Sequence, residues 1–325
     1  MSFTSYLAAR QFVINIGNPL LLLLLLVSVG FAVASFLKPY QKYISLFITI
    51  LFSSFLLGFA LIVWLHWRIT STLVLADPTG QLPSGRFYIP PWVENEKLFF
   101  WGLALSFLAL FIKKQPLKFK QAVLVTLAIF LVLIYFTSNP FAGVGPLSDF
   151  HQAYSQYVAV MTSTQSLMVK SQIYHQLHGK MVGFYNSSYM WIHPPLLFLS
   201  YSLFVLAFLA SLFMLSGAKQ NPEHFDKLAY SYAKPGFIFL TVGLLLGYPW
   251  AVEAWAGESW WYDPKINITL MMWVLYAAYL HARLYWHRRW MPKVTAVLAY
   301  TAFFSVIVTY ISSYVIPGIH SVAGG

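Results

Sequence analysis

The chain has 325 residues, of which 59% are hydrophobic and only 9% charged, and its mean hydropathy is +0.67. Soluble domains carry about 25% charged residues, so the composition excludes a water-soluble globule and indicates a protein that crosses a bilayer repeatedly. There is no cysteine, which also excludes disulfides, thiolate nucleophiles and cysteine-held metals.

Apolar segments of about 17–25 residues read as membrane spans. Eight are predicted, at roughly 12–37, 43–65, 98–113, 120–137, 193–216, 235–252, 266–285 and 293–316. The first contains Ala32-Val33-Ala34, which resembles a signal-peptidase site. Its apolar run exceeds the roughly 7–15 residues of a signal core, and it is read as a retained span. Alternate loops hold thirteen Lys and Arg residues on one side and seven on the other, with net charges of +11 and 0. Basic residues mark the cytoplasmic side, so both termini are expected outside a plasma (inner) membrane. The formal charge of +11 is thus a topology signal, with no nucleic acid implied.

The first expected outer loop, 66–97, runs from His66-Trp67-Arg68 to P-P-W-V-E-N-E-K. His66 there reads as an interfacial histidine bonded to water or a carbonyl. The basic run Lys113–Lys120 is a cytoplasmic connector. After F-T-S-N-P-F (Phe136–Phe141), residues 138–192 form an expected extracytoplasmic helical segment, a lid or docking element. Within it His175 and His178 stand at i and i+3, solvent-exposed or, less simply, a metal pair.

His193 opens the fifth span in W-I-H-P-P-L-L-F-L-S-Y. Prolines suit the first helical turn, so His193 is expected at the N-cap, where an imidazole stays neutral and able to ligate a metal. The stretch from Trp250 to Pro264, W-A-V-E-A-W-A-G-E-S-W-W-Y-D-P, follows the sixth span. Its four tryptophans fit either an interfacial aromatic belt or a flat platform for a large planar ligand. His281 lies inside the seventh span, about 22 Å past Ile266 along a helix, and intramembrane ionisable residues are costly and usually functional. His320 follows the last span in I-P-G-I-H-S.

Taken in order, these segments resemble the cytochrome c assembly proteins, the CcsA/ResC and CcmF family of haem-handling membrane proteins with a tryptophan-rich WWD signature. The core W-x-x-E-x-W…W-W-Y-D-P-K carries the resemblance, together with P-P-W-V-E-N-E-K, F-T-S-N-P-F, I-H-P-P-L-L-F-L-S-Y, L-Y-A-A-Y-L-H-A-R and P-G-I-H-S, over about residues 90–325. It implies that His193 and His320 are the axial ligands of an external haem b iron. Trp250, Trp255, Trp260, Trp261, Tyr262 and Asp263 would form its platform, and His281 would be a ligand at an inner, membrane-embedded site. Tyr262 stands where the family usually has tryptophan, and Ile266 where it has an acidic residue. The second inner ligand has no counterpart here and would come from another maturation subunit.

The expectation is therefore an all-α integral membrane protein with about eight transmembrane helices. It would be one polytopic domain, 1–325, with the outer segment 138–192 and a tryptophan-rich loop at 250–265. Its implied role is to hold haem for covalent attachment to apocytochrome c, as a haem lyase core or subunit. No catalytic side chain is assigned, since the chain would act by positioning two reactants. The alternatives are a haem exporter or delivery protein without attachment activity, and a membrane transporter unrelated to haem.

Overall fold

The computed structural model describes residues 2–73, 75–81, 87–142, 145–215, 222–255, 259–288 and 290–318. Among these are ten α-helices and no strand. They are α1 (Phe3–Ala34), α2 (Ile44–Thr72), α3 (Glu96–Ala109), α4 (Leu117–Thr137), α5 (Ser148–Met161), α6 (Leu167–Gly179), α7 (Tyr189–Leu215), α8 (Pro222–Ala254), α9 (Pro264–Arg283) and α10 (Met291–Val315). An all-helical chain is what a bilayer demands, because each helix satisfies its own backbone groups where no water can.

Each predicted span falls on a helix. Among the described residues, six helical segments are long and apolar enough to cross a membrane: Phe3–Ala34, Lys38–Ser71, Leu117–Thr137, Tyr189–Leu215, Pro222–Ala254 and Met291–Ser312. The 14 residues of α3 reach about 21 Å, short of the ~30 Å hydrocarbon core. The 20 residues of α9 include Lys265, Asn267, His281 and Arg283, which dilute its apolar character. Two helices begin earlier than hydropathy suggests, α1 at Phe3 and α8 at Pro222, because polar residues can continue a helix that apolar periodicity no longer marks.

The chain forms two compact units, Met1–Trp191 and Ile192–Gly325. In the first, α1 packs on α2 and α4, and α2 on α3. Phe141, the last residue of F-T-S-N-P-F, is fully buried against α1. A Cβ at Gly17 would lie 2.2 Å from its ring, so the helix can accept this phenylalanine only because position 17 has no side chain. Between α4 and α7 the described residues include α5, α6 and a π-helical turn, Lys180–Tyr185.

Carboxylates fix this segment. Glu94 accepts from the N–H groups of Asp149 (2.9 Å) and Phe150 (3.3 Å) in the first turn of α5, and from the Tyr185 hydroxyl. Glu96 accepts from the Leu147 N–H at 2.5 Å. Those N–H groups have no partner within the helix, so the acids act as remote caps. Burial, with Glu96 and Asp149 nearby, pushes the Glu94 carboxyl up to about 8. His66 is buried, its Nδ1 2.8 Å from the Ile89 carbonyl and its Nε2 3.8 Å from Glu96.

In the second unit α9 and α10 form a close antiparallel pair, and α9 also packs on α8. The α7 and α8 helices meet along glycines: a Cβ at Gly236 or Gly243 would lie 2.7 Å from Phe204 or Leu197 respectively. Small residues let helix backbones approach inside a membrane. The Ser200 hydroxyl then donates to the Gly236 carbonyl at 2.7 Å. Phe204 stacks on Tyr276 of α9, with centroids 3.5 Å apart. At the other end of α9, Arg283 pairs with Asp226 of α8 at 2.6 Å.

Candidate functional site

His193 is the fifth residue of α7, which begins at Tyr189. This corrects the expected N-cap position. Pro194 and Pro195 lie inside the helix, where a proline removes the bond to the carbonyl four residues back. For Pro194 that carbonyl belongs to Met190, and the Trp92 indole donates to it instead at 2.8 Å. With this carbonyl satisfied, α7 continues through its prolines.

The His193 ring lies on α8. Its Nδ1 is 2.7 Å from the Gly243 carbonyl, and a Cβ at Gly247 would sit 2.7 Å from its Cε1. A carbonyl oxygen only accepts, so Nδ1 carries the proton, and in the neutral form of the ring the lone pair is then on Nε2. Trp250 stacks alongside, at 5.9 Å and 28°.

From this histidine the tryptophans continue as one aromatic wall. Trp255 meets Trp250 edge-on at 4.7 Å, and Trp260 and Trp261 stack at 3.9 Å and 24°. Tyr248, on α8, touches both of the latter at 5.6 Å. These residues line a cleft of about 150 Å³ with Leu197, Tyr201, Gly247, Lys265, Ile266 and Thr269. Trp250 and Trp260 are buried, whereas Trp261 is 54% exposed and Tyr262 84%. Most of the wall's area on the 260–262 turn therefore faces outward.

Asp263 occupies a different position. It is 4% exposed and caps α9, accepting from the N–H groups of Lys265 (3.0 Å) and Ile266 (3.3 Å), with Pro264 at the first helical position. Such a cap contributes about 1 kcal/mol. Asp-Pro before an apolar run is a recognisable helix start, and that signal could have identified the role. Gly318, just past α10, abuts this aspartate: a Cβ there would be 2.7 Å from Oδ2. His320, two residues further on, lies outside the described residues.

His193, Trp250, Trp255, Trp260 and Trp261 are therefore brought to one cleft, and Tyr262 stands beside it on the same turn. His281 is not among the lining residues. It sits on the exposed surface of α9 near its C-terminal end, with Nδ1 2.8 Å from the Ala277 carbonyl. Sequence reasoning missed Tyr201, which stands on α7 away from the tryptophan stretch, and Gly247 and Tyr248, which stand three and two residues before it. His175 is exposed, and His178 stacks on Tyr174 at 5.4 Å. Among the described residues no three His, Asp or Glu side chains cluster as metal ligands would.

Comparison with known proteins gives one direction. A family model described as cytochrome C assembly protein matches residues 92–320. The cytochrome c biogenesis protein CcsA of Prochlorococcus marinus (strain NATL1A) is 48% identical over 103 residues, 31% of this chain and 31% of that protein. CcsA of Gloeobacter violaceus is 42% identical over 100 residues, 30% of this chain and 29% of the relative. CcsA of Prochlorococcus marinus (strain AS9601) is 30% identical over 180 residues, 45% and 57% of the respective chains. The matched stretches thus span less than two thirds of these relatives. Among solved structures, a cytochrome c haem lyase CcmF is similar with a TM-score of 0.57 at 17% identity, over 93% of this chain and 46% of that one. At that identity the likeness concerns the fold.

Proposed function

The chain belongs to the cytochrome c assembly protein family, and on that premise we propose that its tryptophan cleft holds haem for attachment to an apocytochrome c. The observation that carries this reading is the union, in one cleft, of an Nδ1-protonated histidine and an aromatic wall. A neutral imidazole with its lone pair on Nε2 is a haem-iron ligand. Stacked indoles offer a flat apolar face to a porphyrin. The cleft is small, so a macrocycle would lie against Trp260 and Trp261 and leave an edge outside. An exposed edge suits cargo that must meet a second protein.

In this reading His193 and His320 would hold the haem iron, and Trp250, Trp255, Trp260, Trp261 and Tyr262 would bear on the ring. Lys265, on the cleft wall, is placed to pair with a propionate carboxylate. Asp263 acts indirectly, by starting α9 and holding Gly318 beside the wall. Bound haem would supply vinyl groups for thioether formation with cysteines of the apocytochrome, since this chain has none. The chain's own part is to orient and release. His281 belongs to a second site toward the other leaflet, completed by another maturation subunit.

His193→Gly should shift the absorption spectrum of the purified protein away from a bis-histidine haem and stop attachment to co-expressed apocytochrome. Free imidazole should restore part of both. An unaltered spectrum in the variant would end this assignment. The same reading puts the cleft, both termini and residues 138–192 outside the cytoplasm, on the basic-residue asymmetry of the loops. Activity reporters fused after Gly143 and after Lys118 should then report opposite sides, and matching reports would overturn the eight-span reading.

A further inference from the structure

Three glycines of α8 face α7, but they face different things. At Gly236 and Gly243 the crowding atoms belong to Phe204, a core side chain, and to Leu197, an aliphatic side chain of the cleft lining. At Gly247 all three nearest atoms are those of the His193 ring: Cε1 at 2.7 Å, Nδ1 at 3.0 Å and Nε2 at 3.4 Å. One helical turn earlier, the Gly243 carbonyl receives the Nδ1 proton at 2.7 Å. The ring also stacks on Trp250, with centroids 5.9 Å apart and planes at 28°. Gly247 and Trp250 stand three residues apart, hence on one face of α8. The imidazole is therefore held in a seat whose floor is Gly247, whose acceptor is the Gly243 carbonyl and whose wall is Trp250.

We propose that Gly247 is a positioning residue: the missing side chain admits the His193 ring to the Gly243 carbonyl, and that bond fixes the tautomer that leaves the ring's lone pair on Nε2. The inference rests on the haem reading for its purpose, but its physical content concerns the protein alone. Any Cβ at position 247 must displace the ring, because real Cβ atoms do not sit 2.7 Å from a carbon. A displaced ring loses its hold on the carbonyl, and a ring without that hold is free to carry its proton on either nitrogen. Metal-bound histidines usually donate their second nitrogen to such a fixed acceptor, and losing the acceptor costs about 10–100-fold in metal affinity.

The test uses the full chain in lipid nanodiscs, labelled with ¹⁵N-histidine and free of haem. The His193 resonances are assigned as those lost in His193→Gly. In the unaltered protein they should show a protonated Nδ1 and an unprotonated Nε2. Gly247→Ala should abolish that pattern and lower the apparent affinity for added haem by about 10–100-fold. Gly236→Ala is the control: it meets Phe204 at the same 2.7 Å, and should leave both tautomer and affinity unchanged. A proton on Nε2 in the unaltered protein would overturn the proposal. So would equal changes of tautomer and affinity in the two alanine variants, since packing alone would then account for Gly247. If Gly247→Ala does not accumulate, the resonances of the unaltered chain decide the matter. A protein that shows the Nδ1 tautomer, loses it in Gly247→Ala and binds no haem would keep the seat and refute the haem reading.

Discussion

The two units use the same kinds of residue for opposite ends. Each has a proline-flanked stretch rich in tryptophan and acid: P-P-W-V-E-N-E-K in the first, W-W-Y-D-P-K in the second. In the first, every such group is occupied inside the unit. Trp92 gives its proton to the carbonyl that Pro194 leaves unpaired, and Glu94 and Glu96 cap the start of α5. In the second, only Asp263 is used in that way, while Trp261 and Tyr262 face outward. Composition alone therefore does not mark a site. What separates the two is whether the polar and aromatic groups close on the fold or are left open at a cleft.

The sharpest way to break that contrast is to damage the closed unit. Phe141→Ala removes a fully buried ring and should cost about 3–5 kcal/mol, read as a loss of thermal stability, while whatever protein survives keeps the wild-type haem spectrum. A changed spectrum at full stability would show the first unit taking part in the site.

A graded version uses pH. Glu94 has its carboxyl pushed up to about 8 from an ordinary 4.5, so the folded state binds its proton more tightly than the unfolded one. Its contribution is whole below about pH 4.5 and declines as pH rises through about 8. Amide exchange at Asp149 and Phe150, corrected for intrinsic rates, should accelerate between pH 6 and 9. Glu94→Gln should flatten that change, and an unchanged slope in the variant would clear Glu94 of the role.

The smallest expected effect on stability is on the open side. Trp261→Leu replaces a ring that is 54% exposed, so it should move stability by no more than about 0.5 kcal/mol yet lower haem content. Lowered expression with unchanged haem content would make the tryptophans an interfacial belt.

Much of this fold was legible in the sequence because long apolar runs identify helices whatever their neighbours are. All eight predicted spans fall on helices. The boundaries were less so. The early turns of α8 hold Glu223, Asp226 and Lys227, residues that continue a helix through pairs such as Glu223–Lys227 at 2.7 Å and that hydropathy scores against it. For the site, residue types pointed to His193 and the tryptophans, but one error of position followed from a local rule. Pro194-Pro195 was read as a helix start, because the rule for prolines cannot see Trp92 repairing the ladder. Asp263, which the family resemblance puts in the platform, caps α9. Tyr248 and Gly247 were beyond reach, since their relevance arises only when α7, α8 and the 260–262 turn meet.

The fifth position of His193 in α7 has a consequence for turnover. A donor carried on a loop is ordered each time a ligand arrives, and that ordering entropy is charged against the affinity at every binding event. Here the ring is already held by a helix on one side and a carbonyl on the other. A ligand leaving it therefore leaves the donor in place, with nothing to refold before the next arrives. Under the proposed haem reading, residence time would be set by the bond to Nε2 and the stacking area, so occupancy would be short without being weakly specified.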